Sequence, residues 1–267
     1  LDEVWTDRPA LVHQPADVLK DEFNGEATAS KLARVREQME KEEAQYHIIS
    51  TLDDIAWILN VRGNDIPHVP VVLSFLVIGK EDAMWFVEEN ALSDAVKEMA
   101  AECGITIRPY EDVYAYAATI PEHSTVLLDK RKVNYRITNA LSETVHIVSK
   151  ANPSQLMKAI KNEIELENTR KAHLLDGIAV TKFMYWLKKN VGKIPMDEVS
   201  VSDYLQSLRE QMEGYRDISF DTIAGYNANA AMMHYKAEPD TAAKLEPQGM
   251  LLVDSGGHYD TGTTDIT

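Results

Sequence analysis

Two rhythms of apolar positions alternate over the first half of the chain. Residues 28–45 set Leu32, Val35 and Met39 at helical spacing among charges, which predicts an amphipathic helix. "YHIIST" at 46–51 is a short apolar run and predicts a buried strand. "TLDDIAWILN" at 51–60 predicts a helix with Thr51 as its N-cap. After the turn-rich loop "VRGNDIPHVP", the runs "VVLSFLVIG" and "AMWFVE" read as two strands joined by the turn "KED". A helix over 90–102, strands over 105–111 and 124–130, a short helix over 134–141 and a strand over 144–150 continue the pattern. Strand and helix in alternation predict an α/β domain.

The rhythm changes after "KANPSQ" at 150–155. Residues 154–191 hold two consecutive helical stretches. A third helix is expected over 201–213, capped by Ser200 or Ser202. From residue 218, "ISFDTIAGYNANAAMMHY" and the closing segment read as strands. The expected organisation is an irregular linker over 1–25, punctuated by Pro and Asp, an α/β middle domain over 26–152, and a second domain over 153–267 that opens with helices and turns to sheet. Trp57, Trp85, Met232 and Met233 are expected to pack in the core, and Arg62 to serve a turn.

Composition narrows the function. Hydrophobic residues make up 45% of the chain and charged residues 26%, ample for a core. The net charge of −16 argues against nucleic acid and anionic membrane as partners and is compatible with divalent cations. No stretch approaches the ~18 apolar residues of a membrane span. The lone Cys103 excludes an intrachain disulfide, which suits a reducing cytoplasm, and is expected to pack at a helix end. The opening "LDEVWTDRPALVHQP" lacks Met and reads as an exit from an earlier domain, so the chain is expected to be cut at both ends.

The chemistry gathers in "LLVDSGGHYDTGTTDIT" at 251–267. Read as a hairpin with Asp254 opposite Asp265, its loop centre falls between Tyr259 and Asp260. Directly opposed side chains share a face with Cβ atoms about 4.5–5.5 Å apart, so the carboxylates would repel unless they shared a proton, stayed wet or held a cation. Asp254 ends an apolar run, which favours a metal or a shared proton over solvation. A surface hairpin with two turn aspartates is the plainer alternative. "VDSG" and "YDTG" also fit the motif of aspartic proteases, but both lie inside one turn and cannot converge from two lobes. Two aspartates do not complete a metal site, and the nearest further candidates are His234, at the end of an apolar run, and His258 in the turn.

"VDSGGHYDTGTTDIT" resembles the first ligand segment of the M24 metallopeptidases, the pita-bread fold, and is most similar to cytosolic-type aminopeptidase P, the Xaa-Pro aminopeptidases. "VWTDRP" at 4–9, "TLDDIAWILNVRGNDIPHVPV" at 51–71, "KNEIELENTRKAH" at 161–173 and "SFDTIAGYNANAAMMHY" at 219–235 carry the same resemblance. It implies a creatinase/prolidase N-terminal-like α/β domain followed by the first part of an α+β pita-bread catalytic domain, truncated here. Asp254 and Asp265 would be metal ligands for two divalent ions, usually manganese, with Asp265 bridging them, and His234 would contact substrate. The remaining ligands, one His and two Glu, and a second substrate-contacting His would lie downstream, so this chain alone is expected to be inactive. The reaction implied is metal-assisted hydrolysis of the Xaa–Pro bond in peptides with proline at the second position. A homodimer is a further expectation. A prolidase, another M24 peptidase or a non-enzymatic pita-bread binding protein are the alternatives.

Overall fold

The apolar runs of the first half fold as a layered sheet in the computed structural model, which describes residues 4–267. In chain order the elements are β1 (Asp17–Val18), α1 (Asp21–Asn24), α2 (Thr28–Lys41), β2 (Tyr46–Ile49), α3 (Leu52–Leu59), β3 (Val61–Arg62), β4 (Ser74–Gly79), β5 (Ala83–Val87), α4 (Asp94–Glu102), β6 (Ile105–Arg108), α5 (Asp112–Thr119), β7 (Thr125–Leu128), α6 (Tyr135–Ala140), β8 (His146–Ser149) and α7 (Pro153–Ala159). Six strands form one mixed sheet in the order β6-β5-β4-β2-β7-β8. β4 is antiparallel to β2 and β5, while β5–β6, β2–β7 and β7–β8 run parallel.

Every residue of β4 is buried, because both faces of the sheet are covered. Leu76 and Ile78 join Leu32, Val35 and Met39 of α2 and Ile58 of α3 in one cluster, with Trp57 and Trp85. The alternate residues Phe75 and Val77 meet Phe86, Val113, Val126 and Ile137 in another. Each such side chain contributes about 1.5–3 kcal/mol on burial. Thr51 is the N-cap residue of α3, but its hydroxyl donates to Asp54 instead of capping the backbone. Lys158 of α7 reaches Asp53 and, at 2.7 Å, Asp54. Arg62 donates to the carbonyls of Ala56 and Val61 at 3.0 and 3.1 Å, a local structural role. Cys103 is the C-cap of α4.

The chain divides into two compact units, residues 1–161 and 162–267. The second contains α8 (Glu163–Asn190), α9 (Glu198–Arg209), β9 (Tyr215–Ile218), β10 (Ile223–Tyr226), β11 (Leu251–Asp254), β12 (Gly257–Tyr259) and β13 (Gly262–Thr263). α8 starts with a capping box, in which Asn162 and Glu165 exchange side-chain bonds to backbone N–H groups at 2.9 Å. α9 starts earlier than expected and is capped by Asp197, whose carboxylate accepts from Ser200 N at 2.8 Å, so Ser200 is the third helical residue and not the cap. Ala179 and Phe183 of α8 and Val201, Leu205 and Leu208 of α9 form the core, and Trp186 stacks on Tyr204 at 3.8 Å. β10 pairs with β11, and β13-β12-β9 form a three-stranded sheet. Among the described residues no helix is long and apolar enough to cross a membrane.

Candidate metal centre

β11 delivers Asp254 at its end, opposite Ile223 of β10. The chain then leaves that sheet, and Ser255 pairs with Ile266 through two reciprocal backbone bonds of 3.0 and 2.9 Å. His258↔Thr263 and Tyr259↔Gly262 continue the same register. The hairpin therefore closes on Asp260 and Thr261, one residue later than the sequence suggested, and Asp254 and Asp265 are diagonal neighbours and not direct partners. Burial sets this register. Ser255, Tyr259 and Thr264 occupy the inward face, at 2%, 6% and 1% exposure. With a period of two, that turns Asp254, His258, Thr263 and Asp265 to the opposite face. The bond between His258 Nδ1 and Thr263 Oγ1 at 2.8 Å agrees, and it places His258 in a strand instead of a turn. Diagonal pairs of this kind have Cα atoms about 7–8 Å apart, within reach of a shared cation.

Behind this face lies a buried ion pair. Arg209 of α9 donates to Asp176 of α8 at 2.6 and 3.2 Å, and both side chains are fully buried. The same guanidinium donates to Ser255 Oγ at 3.0 Å, and Tyr259 OH donates to Asp176 at 2.8 Å. Burial first, then the bond to Asp176, pushes the Tyr259 phenol up, so it stays a donor. At Gly256 the backbones cross so closely that a Cβ would land on the Thr264 carbonyl oxygen and the Ser219 hydroxyl. The peptide that follows Asp254 is thus gripped from its inner side by side chains and from its flank by backbone.

Asp254 is half-buried, and its Oδ1 atom is buried with no hydrogen-bond partner. An orphaned carboxylate oxygen at this depth is costly unless something positive completes it. Asp265 is exposed on the same face. These are hard oxygen donors, the type that divalent cations take, so the pair fits part of a metal site. Among the described residues no group of three or more His, Cys, Asp and Glu side chains is placed to hold an ion.

His234 lies elsewhere in the second unit, exposed, on an irregular stretch after a 3₁₀ turn over Asn227–Ala231. The strand expected through 218–235 breaks at Tyr226, since Asn227 adopts φ 51° and the chain coils. Met232 and Met233, expected in the core, are 48% and 80% exposed. Sequence reasoning missed Asp176, Arg209 and Glu198. Asp176 did leave a signal: it falls on the buried stripe Ala172, Ala179, Phe183 of α8, where a lone charge needs a partner.

Residues 7–165 match the model of the creatinase/prolidase N-terminal domain, and residues 167–267 match that of metallopeptidase family M24. The chain belongs to the creatinase/prolidase N-terminal domain family. Its expected fold class, that α/β domain followed by the M24 fold, is borne out. The chain is 36% identical to a probable Xaa-Pro aminopeptidase P of Neurospora crassa, over all of its length and 41% of the relative's. It is 37% identical to Xaa-Pro aminopeptidase 1 of Dictyostelium discoideum, over 93% of this chain and 40% of that one. The X-prolyl aminopeptidase of Caenorhabditis elegans, described as a cytosolic enzyme with a di-nuclear active site, superposes with a TM-score of 0.91 at 31% identity, over 99% of this chain and 44% of that chain. A prolidase from Pyrococcus horikoshii reaches 0.62 at 19%, which shows a shared fold alone. The chain spans about two fifths of the length of the curated relatives it matches.

Proposed function

We propose that this chain contributes Asp254 and Asp265 to a two-metal centre of a cytoplasmic Xaa-Pro aminopeptidase, with manganese as the ion and peptides bearing proline at the second position as substrates. The observation that carries this is the buried, unpartnered Oδ1 of Asp254 on the face that also bears Asp265. The relatives named Xaa-Pro aminopeptidase and the high superposition on the C. elegans enzyme support the substrate class over a prolidase. Bound divalent ions would supply Lewis acidity and a water acidic enough to ionise near neutral pH. The chain's own residues hold and orient. Asp254 presents a desolvated oxygen from the end of β11, and Asp265, being exposed, stays open to a shared ion. The Ser255–Ile266 pair fixes the spacing of the two carboxylates. His234 would hold the substrate from its exposed loop by a hydrogen bond. A bond preceding proline is a tertiary amide with no N–H, so recognition must come from such groups and from the free amino terminus.

The test is manganese titration of the native protein followed by electron paramagnetic resonance, alongside release of the first residue from an Xaa-Pro-Pro peptide. Asp254→Asn should weaken manganese binding at least about tenfold, as expected for loss of an ionised ligand, and abolish release. Unchanged binding in that variant would refute the assignment.

A further inference from the structure

The loop that carries His234 is tethered to one buried carboxylate. Glu198, the first residue of α9, is fully buried, and its oxygens face donors from several points along residues 226–243. Oε1 accepts from Tyr226 N at 2.6 Å and from Asn229 Nδ2 at 3.0 Å. Oε2 accepts from Tyr235 OH at 2.7 Å, from Ala243 N at 2.8 Å and from Asn229 Nδ2 at 3.2 Å. Asn229 Nδ2 also donates to Tyr235 OH at 3.0 Å, which closes the ring. The backbone of Glu198 itself donates to Ala243 O at 3.2 Å.

Each bond to the Glu198 side chain needs an acceptor there, and only a carboxylate offers acceptors on both branches with no donor of its own. Glutamine would turn an NH₂ toward two or three N–H or O–H groups. Bonds of this charge-assisted kind are about twice as strong as neutral ones. The α9 N-terminus adds its partial positive charge to the same carboxylate. The tethered stretch has little else of its own. Its own bonds are a 3₁₀ turn, Met232 N to Asn229 O, Tyr235 N to Met232 O and a turn on the Glu238 carbonyl, with Asn227 tied to Met250 at its start and Lys236 paired with Asp221 at the surface, and its methionines lie in solvent. His234 sits next to Tyr235, whose hydroxyl donates to Glu198 at 2.7 Å.

We infer that Glu198 is a positioning residue for substrate binding: by gathering Tyr226, Asn229, Tyr235 and Ala243 it fixes the loop that presents His234. The inference rests on the substrate-contacting role of His234 proposed above. Glu198 does not touch substrate; it sets how much of the time His234 is in place.

The experiment uses the native protein with Glu198→Gln, with Tyr235→Phe as the milder variant that removes one tether, and with His234→Ala alone and combined with Glu198→Gln. Hydrogen–deuterium exchange should quicken at least about tenfold across residues 227–243 in Glu198→Gln, and less in Tyr235→Phe, with α8 unchanged. KM for an Xaa-Pro-Pro peptide should rise severalfold in both, with manganese affinity unchanged. His234→Ala should cost much less in the Glu198→Gln background than in the wild-type protein, since the contact is already lost there. Additive losses, or wild-type exchange in both tether variants, would overturn the inference. If His234→Ala alone leaves turnover untouched, the substrate-contact reading falls and the positioning role with it. Faster loop exchange in that same series would show that the fault lies in the role of His234 and not in the tether.

Discussion

Leu76 in β4 and Arg209 in α9 are both fully buried, yet they hold different kinds of structure together. In residues 1–161 a six-stranded sheet is sandwiched by large apolar clusters, with buried charges such as Lys31 and Asp54 at their margins. In residues 162–267 the sheets have only two and three strands, and beside a smaller apolar core buried charges tie the elements together: Asp176 with Arg209, and Glu198 with its ring of donors. Apolar packing is tolerant of direction, whereas hydrogen-bonded charge fixes direction. The second unit holds the carboxylates proposed as metal ligands, and the difference suits a division between scaffold and site.

The sharpest way to break this comparison is to remove a charge. Arg209→Met leaves Asp176 buried without its opposite charge, with only the Tyr259 hydroxyl still bonded to it, and should cost about 3–5 kcal/mol in urea unfolding, whereas Arg209→Met with Asp176→Leu should recover most of that loss. A double variant as unstable as the single one would show that the pair is not the source of the effect. Leu76→Ala, its counterpart, should cost about 2–5 kcal/mol with no partner able to rescue it.

A smaller effect should appear with pH, and in the first unit. Burial pulls the His47 imidazole down to about 4 from 6.5, against the bond to the Leu127 carbonyl and the charge of Asp54, which push the other way. The folded chain keeps His47 neutral while the unfolded chain takes a proton below pH 6.5. The stabilisation is therefore whole above pH 6.5 and is lost as pH falls to about 4, a change of about 3 kcal/mol. Melting curves between pH 7 and 4 should show this slope in the native chain and not in His47→Asn. An equal slope in both would assign it to other groups. Smallest is Ser255→Ala, which removes one bond to Arg209 and should cost about 1 kcal/mol in the same unfolding assay. No change would mean that the ion pair does not grip the peptide behind Asp254.

Much of the first unit was legible because its strands are apolar runs bounded by turns, as in β4 and β5. α5 was not, since only Val113 and Ala117 of Asp112–Thr119 are buried and its tyrosines blur the helical period. In the second unit the apolar letters at 228–233 suggested a strand, but Met232 and Met233 face solvent, and no local pattern records that. The two aspartates were legible as a pair, yet their diagonal placement depends on which neighbours turn inward. Glu198 left no signal: in "PMDEVSVSD" it reads as an ordinary acid at a helix start, and its burial comes from a loop that returns about 30–45 residues later, a long-range contact of the kind that short-range propensities do not encode.

The crossing at Gly256 bears on how the stretch "DSGG" should be read. With the Thr264 carbonyl and the Ser219 hydroxyl where a Cβ would stand, a saturation library at this position should return glycine and nothing else, whatever function is selected. Asp254 is placed by the proposed metal, but the letters after it answer to clearance and to Arg209. A stretch that looks like a signature of catalysis is, for most of its length, an imprint left by the neighbouring backbone, and its tolerance to mutation will follow steric contact before it follows activity.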